Sequence, residues 1–374
     1  MDGESSSFTP FPSFPMIQYT IRRIFLAIPV LFAVLVVTFL LARMIPGEPC
    51  KAILGEKASV EACNRFNEAN GLDKSVPVQF AIYMGNVLHG DLGTSLRYGR
   101  EVSQMLVERL PTTIELSVFA MTIAVSIGIP AGILSATRRN SGIDVATMIG
   151  ANIGVSIPVF FLGLVLIYIF AVLLKDTMFA LPPSGRLSAG VISIPFYEVY
   201  GWEVVEGTLK FYTFEFISNL YIFNSIITRD WVVLKDTFLH LVLPAVALST
   251  IPLSIIARMT RSSMLEVLGL DYVRTARAKG LPYNKVVLKH AFRNALLPLV
   301  TIIGLQLGGI LSGAVLTETI FGLAGVGLSM FEAITSRDFP VVQGLVVVIA
   351  FVYVFFNLVV DLSYGFLDPR IRLD

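Results

Sequence analysis

Six stretches of this chain run for the thickness of a bilayer without a single Asp, Glu, Lys or Arg. They are residues 24–42, 116–137, 145–174, 237–257, 295–317 and 339–360. A helix rises about 1.5 Å per residue, so about 20 apolar residues cross about 30 Å of hydrocarbon. No soluble domain accommodates six such runs. Charged residues make up 15% of the 374 positions, too few to cover the 55% that are hydrophobic. The mean hydropathy of +0.76 excludes a disordered chain. The net charge of +1 excludes the basic excess of a nucleic-acid binder. The expectation is an all-α polytopic membrane protein with six transmembrane helices.

The third stretch is longer than one span needs, and Pro158 stands inside it, where it can kink the helix. Residues 211–228 are aromatic but contain Glu215, which suits an interfacial segment. Lys and Arg set the orientation. With the N-terminus inside, segments 1–23, 138–144, 258–294 and 361–374 carry 14 of the 28 basic residues in about half the length of the outside segments, which carry the other 14. Both termini are therefore expected in the cytoplasm of a cell-membrane, multi-pass protein. The division is a tail at 1–23, a first helix at 24–42, an outside segment at 43–112, a core at 113–363 and a tail at 364–374. The first helix is read as uncleaved, because no small-x-small site follows it. Cys50 and Cys63 share the first outside segment, where they are either a disulfide or two free thiols. The outside segments 43–112 and 175–236 are either caps over the helices or docking surfaces.

The loop 258–294 holds 8 of the 28 basic residues. Met264, Leu268, Tyr272 and Ala276 recur every four residues, the spacing of one helix face. Arg274, Arg277 and Lys279 crowd the end of that helix, where cations meet the negative pole of its dipole. Gly280 is placed to stop it, and Pro282 to begin the next as its first residue. A basic amphipathic helix at 283–294 then leads into the fifth span. The resulting hairpin either lies along the membrane or acts as a lever that fits a groove in a cytoplasmic partner.

Other chemistry is thin. No G-x-x-x-x-G-K-[ST], H-E-x-x-H or G-x-S-x-G occurs, and His89, His240 and His290 lack metal-ligand spacing. No cofactor, metal or catalytic residue is expected. Gly322–Gly327 reads as a flexible re-entrant or linker turn. An ion-coupled carrier would need ionisable groups deep in the spans. Only His240 lies inside an uncharged run, and Glu115, Glu318 and Asp361 are expected at ends, where water or headgroups reach them. Gly304-x-x-x-Gly308 and Gly309-x-x-x-Gly313 allow close helix contact, within the chain or with a second subunit.

The loop, with several further pieces in order, resembles the permease subunits of ATP-binding-cassette importers, in their dipeptide/oligopeptide and nickel branch. The pieces are Gly90-Asp91-Leu92-Gly93-Thr94-Ser95, Arg109-Leu110-Pro111-Thr112-Thr113-Ile114-Glu115, and Ser156-Ile157-Pro158. His240-Leu241-Val242-Leu243-Pro244, then Asp271-Tyr272-Val273-Arg274-Thr275-Ala276-Arg277-Ala278-Lys279-Gly280 and Arg293-Asn294-Ala295 follow. Glu318-Thr319-Ile320-Phe321-Gly322, Arg337-Asp338-Phe339-Pro340 and Asp368-Pro369-Arg370 close the chain. The resemblance runs from about residue 16 to the end. Where the family's general "EAA" motif has Glu and Ala, this chain has Arg274 and Thr275, as in the peptide branch. Residues 175–236 look longer than in a minimal member.

That resemblance implies a MetI-like permease fold with a cytoplasmic coupling loop. It implies a second homologous permease subunit as heterodimer partner, two cytoplasmic ATPase subunits, and an extracytoplasmic solute-binding protein. It implies peptide cargo, with nickel or oligosaccharides as alternatives in the same family. The coupling residues it points to are Glu266, Asp271, Tyr272, Arg274, Ala276, Arg277, Gly280 and Pro282.

Overall fold

The computed structural model describes residues 14–44, 49–55, 57–69 and 71–367. Asp368-Pro369-Arg370 and residues 1–13 of the N-terminal tail lie outside the described residues. In chain order the helices are α1 (Phe14–Met44), α2 (Pro49–Leu54), α3 (Val60–Ala69), α4 (Val76–Leu88), α5 (Val102–Thr137) and α6 (Gly142–Ser156). Next are α7 (Val159–Ile167), α8 (Phe196–Val199), α9 (Leu209–Ser218), α10 (Tyr221–Thr228), α11 (Trp231–Leu268) and α12 (Asp271–Ala278). A short α13 (Tyr283–Lys285) runs through a π-helical turn, Val286–Phe292, into α14 (Arg293–Gly313). The chain ends with α15 (Val315–Ile320), α16 (Val326–Ser336) and α17 (Phe339–Leu367). Thr94 and Glu101 form an isolated β-bridge, and no strand occurs among the described residues.

Among the described residues, five helices are long and apolar enough to cross a membrane. The stretch 145–174 makes a sixth crossing only as two pieces, Gly142–Ser156 and Val159–Leu173, bent by 97°. Pro158 causes the break. It has no N–H to donate, and it drives Ile157 to extended backbone at φ −81 and ψ 122. The two helices of 209–228 are too short to span.

The centre of the fold is the α5–α11 pair. Leu116, Ala120 and Ala124 of α5 are buried against Leu241, Ala245 and Leu248 of α11, with Phe321 beside them. Small residues allow the approach: a Cβ on Gly132 would lie 2.6 Å from the Ala257 carbonyl oxygen. The Gly304/Gly308 pair serves packing within the chain. A Cβ on Gly304 would overlap Val360, and one on Gly308 would lie 2.9 Å from Tyr353, so α14 lies tightly on α17. Gly309, by contrast, faces open space. Across α17, α1 is tied by an ion pair from Arg23 Nε to Asp361 Oδ2 at 3.3 Å.

Glu115 and Glu318, expected within reach of water, are both buried. A carboxylate left without partners there would be costly, and the chain supplies them. Arg186 Nη2 reaches Glu115 Oε2 at 2.9 Å and donates to the Asn219 carbonyl at 2.7 Å, with its guanidinium over the Tyr221 ring. Ile222 N–H donates to the other Glu115 oxygen. One salt bridge thus clamps the 175–236 segment onto α5. Glu318 accepts from Thr113 Oγ1 at 2.6 Å and from Leu328 N–H at 3.0 Å. A side chain on Gly325 would collide with that carboxylate. The glycine-rich 322–327 segment is therefore a pinned turn around Glu318, not a flexible one.

The loop pieces are also tied down. Asp338 is buried and accepts from Ser95 Oγ at 2.5 Å, Leu96 N–H at 3.1 Å and Arg97 N–H at 3.2 Å. Cys50 and Cys63 form a disulfide joining α2 to α3, with Cα atoms 5.3 Å apart.

Candidate coupling site

The local sequence builds the 258–294 segment as a compact hairpin. α11 stops at Leu268, and Leu270 adopts extended backbone at ψ 148, which re-aims the chain before Asp271 opens α12. An acidic residue suits that first turn. α12 ends at Ala278, and Gly280 takes φ +73, a conformation that glycine reaches without strain. Pro282 then precedes α13 as its cap.

Two sequence expectations change here. The four-residue repeat from Met264 to Ala276 does not lie on one helix, because Gly269-Leu270 interrupts it. Met264 and Ala276 are buried, but Tyr272 is 40% exposed. The inward side chains of α12 are instead Val273 and Ala276. They pack on Met264, Val267, Val286, Val287 and Ala291 in a small separate core. Pro282 caps the next helix, one position before its first residue.

Of the eight expected residues, Glu266, Asp271, Tyr272, Arg274, Arg277, Gly280 and Pro282 are exposed, and Ala276 is core. Tyr272 bridges the arms of the hairpin: Asn294 Nδ2 donates to its hydroxyl at 2.6 Å, and that hydroxyl donates to the His290 carbonyl at 3.3 Å. Arg274 Nη1 meets Asp271 Oδ1 at 3.5 Å, with both side chains largely in solvent. Glu266, Arg277 and Lys279 have no ion-pair partner among the described residues. The hairpin therefore has a packed inner side and a charged, exposed outer side.

What anchors the hairpin was not visible in the sequence. Arg261 on α11 grips Asp144 at the start of α6 with two bonds, Nε to Oδ1 at 2.6 Å and Nη2 to Oδ2 at 2.8 Å. Ser135 Oγ on α5 donates to Oδ1 at the same carboxylate, and Asn140 N–H donates to Oδ2 at 2.9 Å. A paired guanidinium and carboxylate give direction as well as attraction. Three helices thus converge on one carboxylate just before the hairpin. The only hint was a lone Asp in the short loop 138–144, with an Arg at 261 four residues into the basic loop. Asn294 was legible only as part of a motif.

Among the described residues no group of three or more His, Cys, Asp or Glu could hold a metal.

Two family models cover most of the chain. Residues 128–373 match "Binding-protein-dependent transport system inner membrane component". Residues 16–117 match the N-terminal region of such membrane components. The chain is 44% identical over 359 residues to a dipeptide transport system permease protein of Alkalihalophilus pseudofirmus, covering 96% of this chain and 100% of that protein. It is 42% identical over 358 residues to the dipeptide transport system permease protein of Escherichia coli, covering 96% and 99%. It is 41% identical over 362 residues to a di/tripeptide transport system permease protein of Pseudomonas aeruginosa, covering 96% and 99%.

Proposed function

The chain belongs to the family of binding-protein-dependent transport system inner membrane components, and from that premise we propose that it is one permease subunit of an ATP-driven importer of di- or oligopeptides. The peptide cargo is taken from the relatives, which carry dipeptide or di/tripeptide permease names along nearly their whole length. A second, homologous permease completes the path. Two cytoplasmic ATPases drive it, since this chain has no phosphate-binding loop of its own. A solute-binding protein delivers cargo from outside. Both termini and the hairpin face the cytoplasm, in keeping with the concentration of Lys and Arg at 138–144 and 258–294.

The observation that carries this reading is the hairpin's two-sided construction. Its inner side is a packed core, so it moves as a unit. Its outer side offers Glu266, Asp271, Arg274 and Arg277 to a partner. Arg261 and Asp144 lie between that unit and the α5–α6 turn. A push on α12 thus reaches three helices through packed atoms and paired charges rather than through a slack loop. Closure of the ATPases rocks the hairpin, and the spans follow between inward- and outward-open states.

The ion-coupled carrier is disfavoured for a specific reason. Glu115, Glu318, Asp144 and Asp338, buried carboxylates at span ends, are engaged by Arg186, Thr113, Arg261, Ser95 and backbone N–H groups. None of them is left free to take up a coupling ion.

The test uses the assembled complex. Gly280→Val forces a β-branched residue into a left-handed backbone conformation. It is expected to abolish peptide uptake while the ATPases still hydrolyse ATP. Unchanged uptake, together with unchanged substrate-stimulated ATPase, would sink the lever.

A further inference from the structure

A cavity of 530 Å³ lies where five segments meet: the end of α1, the end of α3 with residues 71–72, α4, the loop at 91–96 and the start of α17. That volume is in the usual range of small-molecule sites. Its wall holds a cation and an anion that do not pair with each other, Arg43 and Asp91. Arg43 is held in place by neutral groups. Its Nε and Nη2 donate to Gln79 Oε1 at 2.9 and 2.6 Å, its Nη1 donates to the Phe39 carbonyl at 3.3 Å, and its guanidinium lies over the Phe39 ring. A guanidinium has five N–H groups, so donors are left over. Asp91 Oδ1 accepts from Gly93 N–H at 2.8 Å, and no cation pairs with this carboxylate among the described residues.

Two further polar groups lining the cavity have no partner. Gln343 is only 7% exposed, and its Nε2 makes no hydrogen bond. The Tyr83 hydroxyl is likewise buried and unbonded. Burial lowers Arg43 to about 10 and raises Tyr83 to about 12. At neutral pH the first is therefore a cation and the second a neutral hydroxyl. Buried polar groups are nearly always satisfied, so two orphans in one cavity wall are donors that a ligand in the cavity would supply with an acceptor.

We infer that this cavity binds a small zwitterion, its oxyanion against Arg43, Tyr83 and Gln343 and its ammonium against Asp91. An anion alone would meet the repulsion of Asp91, and a cation alone that of Arg43. Two sources carry this chemistry. One is a free short peptide, a choice that rests on the importer reading above. The other is the headgroup of phosphatidylethanolamine, which the site can reach because Arg43 follows the span Thr20–Leu40 and Gln343 opens the span Phe339–Ser363.

The experiment takes the full chain with its partner subunits, without the binding protein, in nanodiscs. In discs of phosphatidylglycerol alone, binding of alanyl-phenylalanine is measured against its N-acetylated form. In discs containing phosphatidylethanolamine, the lipid retained after extraction is identified by mass spectrometry. Arg43→Gln and Gln343→Leu are each expected to weaken the bound zwitterion about tenfold or more. Asp91→Asn, at an exposed loop position that leaves folding intact, is expected to weaken the zwitterion but not the N-acetylated peptide. Binding of the peptide, or selective retention of the lipid, identifies the source. If neither zwitterion is bound, or if Asp91→Asn and Arg43→Gln leave binding unchanged, the inference is overturned. Peptide uptake by the complete importer is read separately: its absence in the unmodified protein refutes the importer reading and leaves the cavity result standing.

Discussion

Segments 175–236 and 258–294 both interrupt the spans with polar sequence, yet they treat their polar groups in opposite ways. The first turns several of them inward. Arg186 is spent on Glu115, on the Asn219 carbonyl and on the Tyr221 ring. Asn224 is buried and fully bonded, accepting from Phe196 N–H and donating to Ser193 Oγ and the Ile194 carbonyl. Tyr197 donates to Glu215, and Phe196, Trp202 and Phe214 gather into an aromatic cluster. The second segment buries Val273, Ala276, Val286 and Val287 and leaves Glu266, Arg274, Arg277 and Lys279 exposed. The sequence left 175–236 as either a cap or a docking surface; in the fold Arg186, Glu215, Asp230 and Asp236 are used within the chain. The hairpin instead leaves Glu266, Arg277 and Lys279 exposed beside a packed inner side.

That contrast can be broken experimentally. The largest effect is expected at Arg186. Arg186→Ala strands Glu115 in a buried site, and losing one member of such a pair costs about 3–5 kcal/mol. Thermal unfolding should move sharply down, and proteolysis should open the 186–220 region. Replacing both members, Glu115→Gln with Arg186→Met, should recover much of the loss. Full recovery of neither stability nor protection would mean that the cap is held by something other than this pair.

Gly280→Ala comes next. A Cβ there meets no neighbour, so only the left-handed backbone is strained, by about 1–3 kcal/mol. Uptake should fall more than stability does, and equal losses would make Gly280 merely structural. Asp144→Asn should then slow transport and lower the melting temperature modestly. Exchanging the pair, Asp144→Arg with Arg261→Asp, should restore part of the transport if the link is electrostatic. The smallest change in stability is expected at Asp271→Asn and Arg274→Gln, an exposed pair of little energetic worth. Co-purification with the ATPases should nevertheless weaken. If these two substitutions alter unfolding but not ATPase association, the cap and the hairpin do not differ in the way described.

Much of this was legible in the sequence, and unevenly so. The spans, the break at Pro158 and the turn at Gly280 all rest on local chemistry: runs of apolar residues, a missing N–H, a tolerated backbone angle. The helix over 264–276 was misread for an instructive reason. A four-residue repeat survives a break in the helix, so spacing alone cannot tell one helix from two. The burial of Glu115 and Glu318 was missed because a carboxylate at a span end is solvated or buried according to what folds over it.

By itself, the sequence determined that this chain lives in a membrane, where its apolar spans lie and which turn divides the hairpin, because each depends on neighbours within a few residues. Only the tertiary structure decided which charges are spent and which are free. The partners that settle this are far apart in the chain: 71 residues for Glu115 and Arg186, 117 for Asp144 and Arg261, 205 for Thr113 and Glu318, and 243 for Ser95 and Asp338. A buried charge must find a partner, but local sequence does not say which one; the packing of distant helices does.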